Sequence, residues 1–203
     1  MAAVAPSSML NIEGFTATGD YARTIHLTGA DGMEAAILTR GCRVLDLRLR
    51  DGRSMVLPVS TLAEVEADES YINVAVGRTA NRIEGGKFAL DGKEVILQCN
   101  ENGQNQLHGG TVGWDKKLFA VRDQGLNYVE LFLVSPDLDQ GFPSSVEVSI
   151  RYELDGTGGF TVTMSTSNVG KEATVTNMTV CPTRASCFIC TRATLGLCLH
   201  QDT

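Results

Sequence analysis

Basic charge is what this chain is short of. Its 17 lysines and arginines are outnumbered by 24 aspartates and glutamates, for a net charge of -7. Nucleic acid and anionic membrane surfaces both require a basic footprint, so neither is an expected partner. No apolar run approaches the roughly 20 residues that span a bilayer. The opening stretch, MAAVAPSSMLNIEGF, has no basic leader before an apolar core, so no signal peptide is expected. Six cysteines in 203 residues are too sparse for a disulfide scaffold and read as reduced thiols of a cytoplasmic protein. Histidine is rarer still: His26, His108 and His200 are the complete set.

What is present reads as β-structure. Hydrophobic content of 43% and charged content of 20% suit a globular chain with a real core, and the length suits one all-β domain. SVEVSIRYEL puts Val146, Val148, Ile150, Tyr152 and Leu154 on one face, with charged and polar residues on the other. FTVTMST repeats the pattern through Phe160, Val162 and Met164, and RVLDLRLR through Leu45, Leu47 and Leu49. Between such runs lie Asp31-Gly32, Asp51-Gly52, Asp91-Gly92 and Asp155-Gly156, the strongest short-range hairpin signal. TLAEVEADES is the one candidate helix, capped by Thr61 with Glu64 three residues on, and its acidic cluster reads as solvated surface. Cys42 and Cys99 sit in apolar stretches where buried free thiols are usual. His26, flanked by Ile25 and Leu27, reads as a strand residue. The expected architecture is an antiparallel β-sandwich.

Chemistry concentrates in residues 76–119. Arg78 and Arg82 flank Asn81, and a guanidinium fork beside an amide suits vicinal hydroxyls. Surface charges and a turn asparagine explain the same three residues, and from spacing alone that reading is preferred. His108 stands in NQLHGG among turn formers, so it either decorates a loop or does chemistry there, where an imidazole titrating near pH ~6.5 can donate or accept.

Taken together, GRTANRI, GGKFALDGK and NENGQNQLHGGTVGWDK resemble the aldose 1-epimerases, or galactose mutarotases, in order, spacing and identity. GCRVLDLRLRDG and SPDLDQGFPSSVEVSIRYEL fit as well, so the resemblance runs from about residue 12 to Thr179. It implies a large antiparallel β-sandwich holding a hexose in a groove, with no metal and no organic cofactor. It further implies that His108 and Arg82 hold and polarise the sugar, that Asn81 binds a hydroxyl, and that His108 is the catalytic residue of the three. A late glutamate as base and a second histidine as acid complete the family's site.

After EATVTNMT the resemblance stops. Cys181-Pro182 follows where the family has its second histidine, and Cys187, Cys190 and Cys198 crowd the remainder. The expectation is therefore an incomplete mutarotase-like sandwich over 1–179 and an unrelated, disordered cysteine-rich tail over 180–203, from a shifted frame or alternative ending. A single CxxC beside His200 is a weak zinc signal, and incidental cysteines are the preferred reading. Such a chain is expected to be a cytoplasmic monomer, catalytically impaired. Three readings remain at this point: a sugar mutarotase or hexose-phosphate epimerase relative, a non-catalytic carbohydrate-binding remnant, and a truncated product without function.

Overall fold

A computed structural model describes residues 9–180, together with the backbone of Thr191–Ala193 and Leu197–Cys198. Most of the cysteine-rich tail, and with it His200 and the weak zinc reading, lies outside the described residues.

Short strands β1 (Gly14–Phe15) and β2 (Tyr21–Ala22) pair as a hairpin and lead into an antiparallel sheet of β3 (Thr24–Thr28), β4 (Glu34–Leu38) and β5 (Arg43–Arg48). Helix α1 (Leu62–Ala67) follows. Then come β6 (Ala75–Val76), β7 (Arg82–Glu84), the hairpin of β8 (Lys87–Leu90) and β9 (Lys93–Ile96), and β10 (Asn105–Leu107), which returns to pair with β7. Next, β11 (Ala120–Gln124), β12 (Tyr128–Ser135), β13 (Val146–Leu154) and β14 (Phe160–Asn168) form an antiparallel meander. Last are β15 (Thr174–Val175), β16 (Thr179–Val180) paired with β6, β17 (Thr191–Ala193) parallel to β14, and β18 (Leu197–Cys198) against β15.

The two larger sheets face one another. Ile25, Leu27, Ala35 and Ile37 pack against Val129, Leu131, Val148, Ile150, Val162 and Met164 in one buried cluster. The opposite side of the three-stranded sheet is buried too, where Ala36, Leu38 and Leu45 meet Val59 and Val65 of α1 and its approach. The alternations expected in β13 and β14 are present, with Val146, Val148, Ile150, Tyr152 and Leu154 all buried. That of β5 is not. Its register against β4 shifts between Ala36 and Ile37, so Leu45 turns to the helix side while Val44 and Leu47 share the sandwich interior. A β-bulge inserts one residue and reverses the faces beyond it, which period-2 reading cannot anticipate.

All of the Asp-Gly pairs occupy turns between extended segments. Thr61 caps α1 by accepting from Glu64 N at 3.1 Å, and the Glu64 carboxylate reaches back to Ser60 N at 2.8 Å. Asp68, one of the acids read as solvated, instead pairs with buried Arg43 at 2.8 Å. Cys42 is buried and Cys99 only half-buried, both free. His26 lies exposed on β3, its Nε2 3.2 Å from Asn11 Oδ1. Among the described residues no helix is long and apolar enough to cross a membrane.

Candidate functional site

The β7–β10 ribbon sets the site. Its register pairs Arg82 with Leu107, so Asn81 immediately before β7 and His108 immediately after β10 come to the same end. The two are joined twice. His108 N donates to Asn81 O at 3.1 Å, and Asn81 N donates to His108 Nδ1 at 3.0 Å. Both residues hold left-handed backbone, with φ 65° at Asn81 and 52° at His108. Asn and His tolerate that region better than most side chains. It still costs about 1–3 kcal/mol each, and such costs gather at functional sites.

The bond at Nδ1 fixes the imidazole's chemistry. A nitrogen that accepts an N–H carries no proton, so the neutral ring keeps its hydrogen on Nε2. Partial burial lowers the His108 pKa below its ordinary value and nearby Arg82 lowers it further, while Glu101 opposes them. At neutral pH the ring is an uncharged Nε2–H donor. Tyr71 steadies it edge-on, with ring centroids 4.4 Å apart.

Arg82 is largely exposed, yet held. Its Nε lies 2.9 and 2.8 Å from the two carboxylate oxygens of Glu101, and Nη2 lies 2.5 Å from Oε1. Nη1 donates to Asn81 Oδ1 at 3.3 Å. A hollow of about 410 Å³ is walled by Tyr71, Asn100, Glu101, Leu107 and Lys116 among others; Asn81, Arg82 and His108 adjoin these residues but do not line it. A larger one of about 490 Å³ lies by Lys93 and Lys171 and contains none of them.

Arg78 has a different task from Arg82. It is 2% exposed, and its guanidinium donates to Ser135 O and Oγ, Pro136 O, Pro143 O, Ser144 O and Thr174 Oγ1. Burial brings its pKa down to about 10, with Asp139 and Asp137 opposing the fall. It is neither a surface charge nor a sugar ligand. It ties the end of β12, the connection from β12 to β13, and β15 to one another.

The loop bearing His108 is braced from below. Trp114 N donates to Gly77 O at 3.1 Å, and Gln140 accepts from Val112 N at 3.1 Å and from Gln106 Nε2 at 3.2 Å, through its side chain and carbonyl respectively. A β-carbon on Gly77 would collide with the Trp114 ring, and one on Gly109 with the Gly77 carbonyl. Asp115 next to Trp114 is buried, and its Oδ1 has no hydrogen-bond partner. Burial drives its pKa up to about 6, against the pull of Lys116 and Arg43.

The structure places Asn81, Arg82 and His108, the residues singled out in the sequence, side by side at one end of the ribbon. Sequence reasoning missed Glu101, Tyr71 and Asp115, and left Arg78 undecided. For Glu101 the only available signal was its place in the asparagine-rich turn that Asn105 closes four residues later. Among the described residues, no cluster of histidine, cysteine, aspartate or glutamate could hold a metal ion.

Residues 23–183 match the family described as aldose 1-epimerase. Among curated proteins, the galactose mutarotase of Sus scrofa is 41% identical over 131 residues, which is 63% of this chain and 38% of the relative. The aldose 1-epimerase of Haemophilus influenzae is 37% identical over 134 residues, 65% of this chain and 39% of the relative. Among solved structures, the galactose 1-epimerase of Lactobacillus acidophilus superimposes with a TM-score of 0.72 at 23% identity, covering 83% of this chain and 50% of that one. An aldose epimerase homologue from C. elegans gives 0.70, also at 23% identity, over 76% of this chain and 48% of that one. The structural likeness carries the β-sandwich fold, and the chain spans about two fifths of the length of the curated relatives it matches.

Proposed function

The chain belongs to the aldose 1-epimerase family, and from that premise we propose that it binds hexoses such as galactose and glucose and serves the interconversion of their α and β anomers. That reaction opens the hemiacetal, rotates C1 about its bond to C2 and recloses on the other face. A proton leaves the anomeric hydroxyl while another reaches the ring oxygen, and each well-placed transfer contributes ~10²–10⁴ in rate. Asn81, Arg82 and His108 supply the sugar-holding and polarising part. The Nε2–H of His108 donates to a sugar oxygen, and the terminal nitrogens of Arg82 meet hydroxyls.

The observation that carries this reading is the Asn81 N–H on His108 Nδ1, at 3.0 Å. It commits the imidazole to donation next to a hollow whose walls include Asn100, Asn102, Glu101, Asp68 and Lys116, amide and charged groups of the kind that recognise a polyol. It also removes His108 as a base. With Arg82 a permanent cation and Asn81 Oδ1 engaged by it, none of the three accepts the anomeric proton. The free thiols of Cys42 and Cys99 support a reducing, cytoplasmic setting for the enzyme.

Polarimetry on freshly dissolved α-galactose tests the proposal. The 203-residue chain is expected to accelerate mutarotation weakly, and Arg82→Ala or His108→Ala to return the rate to that of buffer. A rate indifferent to both substitutions places the chemistry elsewhere. A wild-type rate equal to buffer removes the catalytic half of the reading.

A further inference from the structure

Arg82 has a long side chain that is 55% exposed, yet its guanidinium is gripped along one whole edge. Glu101 meets Nε and Nη2 with both carboxylate oxygens. Glu101 is itself fixed. Its Oε2 accepts from Asn105 Nδ2 at 3.1 Å, its N donates to Asn105 O at 3.1 Å, and its O accepts from Gln104 N at 2.9 Å. The carboxylate sits on a closed turn whose last residue, Asn105, opens β10 and pairs with Glu84 of β7. The turn, the two strands and Arg82 form one connected frame.

We propose that Glu101 is a positioning residue for sugar recognition, clamping the Nε–Nη2 edge of Arg82 so that the remaining N–H groups present to adjacent hydroxyls of the pyranose. The inference rests on the sugar-binding reading of Arg82 and adds a residue to it. A guanidinium carries five N–H groups in a rigid planar fork. Glu101 takes one on Nε and one on Nη2, and Asn81 Oδ1 takes one on Nη1. Two remain, one on each terminal nitrogen, both in the plane of the guanidinium. Adjacent hydroxyl oxygens of a sugar ring accept such a pair only if the fork does not rotate, and an unclamped arginine in water gives up that orientation to rotamer entropy. Arg82 lowers the pKa of the Glu101 carboxyl from its ordinary value, and the Asn105 amide adds to the effect, so the charged form that clamps is favoured.

The same ion pair could act in the opposite sense, as a competitor that sugar must displace, and substitution separates the two. With D-galactose as the probe, Glu101→Ala is expected to weaken binding about tenfold. The double variant Arg82→Ala/Glu101→Ala is expected to bind no more weakly than Arg82→Ala alone, because Glu101 acts through Arg82. A structural role would leave one further readout unmoved. The Arg82 Nε–H cross-peak in ¹⁵N NMR should exchange slowly in the wild type and collapse in Glu101→Ala, while the backbone amides of the β7–β10 ribbon keep their protection. Equal or tighter galactose binding by Glu101→Ala overturns the inference, as does full additivity in the double variant. A wild type that binds no galactose, with an ordered Arg82 Nε–H, overturns the sugar reading itself and the inference with it.

Discussion

His108 is defined by the proton its ring does not carry. Asn81 occupies Nδ1, burial and Arg82 resist a second proton, and what is left is a neutral donor at Nε2. Nearby Asp115 shows burial acting on the opposite charge. Its carboxyl, raised to about 6, keeps its proton in the folded chain under conditions where the unfolded chain loses it near pH ~3.9. The folded state therefore binds more protons between those values, so this group's contribution to stability falls as pH rises from about 4 to 6. Above that window the folded chain bears a buried, ill-satisfied carboxylate. Asp115→Asn keeps the shape and removes the charge, so it should stabilise the protein at pH 7 by about 2–3 kcal/mol. The gain should vanish by pH ~4, where both states of the wild type are protonated. Thermal melts across that range check this, and a gain that does not change with pH contradicts it.

Elements rather than single residues bring the site together. The β7–β10 ribbon sets Asn81, Arg82 and His108 at one end, and the backbone crossing of Gly77, Gly109 and Trp114 fixes the height of the loop. At Gly109, with φ 86°, an added β-carbon meets both left-handed strain and the Gly77 carbonyl. Gly109→Ala should therefore lower stability by ~2 kcal/mol or more and disturb the environment of Trp114, the sole tryptophan. Chemical denaturation followed by Trp114 fluorescence measures both. An unchanged midpoint and emission maximum would mean the crossing is looser than its geometry states.

This scale also divides what could be read in the sequence from what could not. Strands β13 and β14, the Asp-Gly turns and the α1 cap were legible because each is set by residues a few positions apart. The bulge in β5, the burial of Arg78 and the pairing of Asp68 with Arg43 were not. The last two depend on partners 25 to 96 residues away, as with Asp68 for Arg43 and Thr174 for Arg78, and the bulge is a shift in pairing with β4 that a period-2 pattern does not encode. The site stood between these cases. Its residue types and the family resemblance pointed to Asn81, Arg82 and His108, but the tautomer of His108 and the clamp on Arg82 exist only once β7 and β10 pair.

Across the whole molecule, a two-sheet interior supports a polar rim. The sandwich core and the helix-side cluster bury both faces of β3–β4–β5, and the Arg78 hub ties the connection from β12 to β13 to the end of β12 and to β15. The rim they hold in place is where a hexose is proposed to bind, through a neutral His108 and an oriented Arg82. The chain's scarcity of histidine makes that claim directly measurable. With only three imidazoles in the sequence, ¹⁵N-labelled histidine gives a spectrum in which His108 can be followed alone. On titration with D-galactose, the His108 Nε2 resonance should shift in saturable fashion and keep the signature of the Nε2–H tautomer, with no shift in Arg82→Ala. A His108 signal that ignores galactose while the chain remains folded, or one that shows a protonated Nδ1 at neutral pH, contradicts the claim.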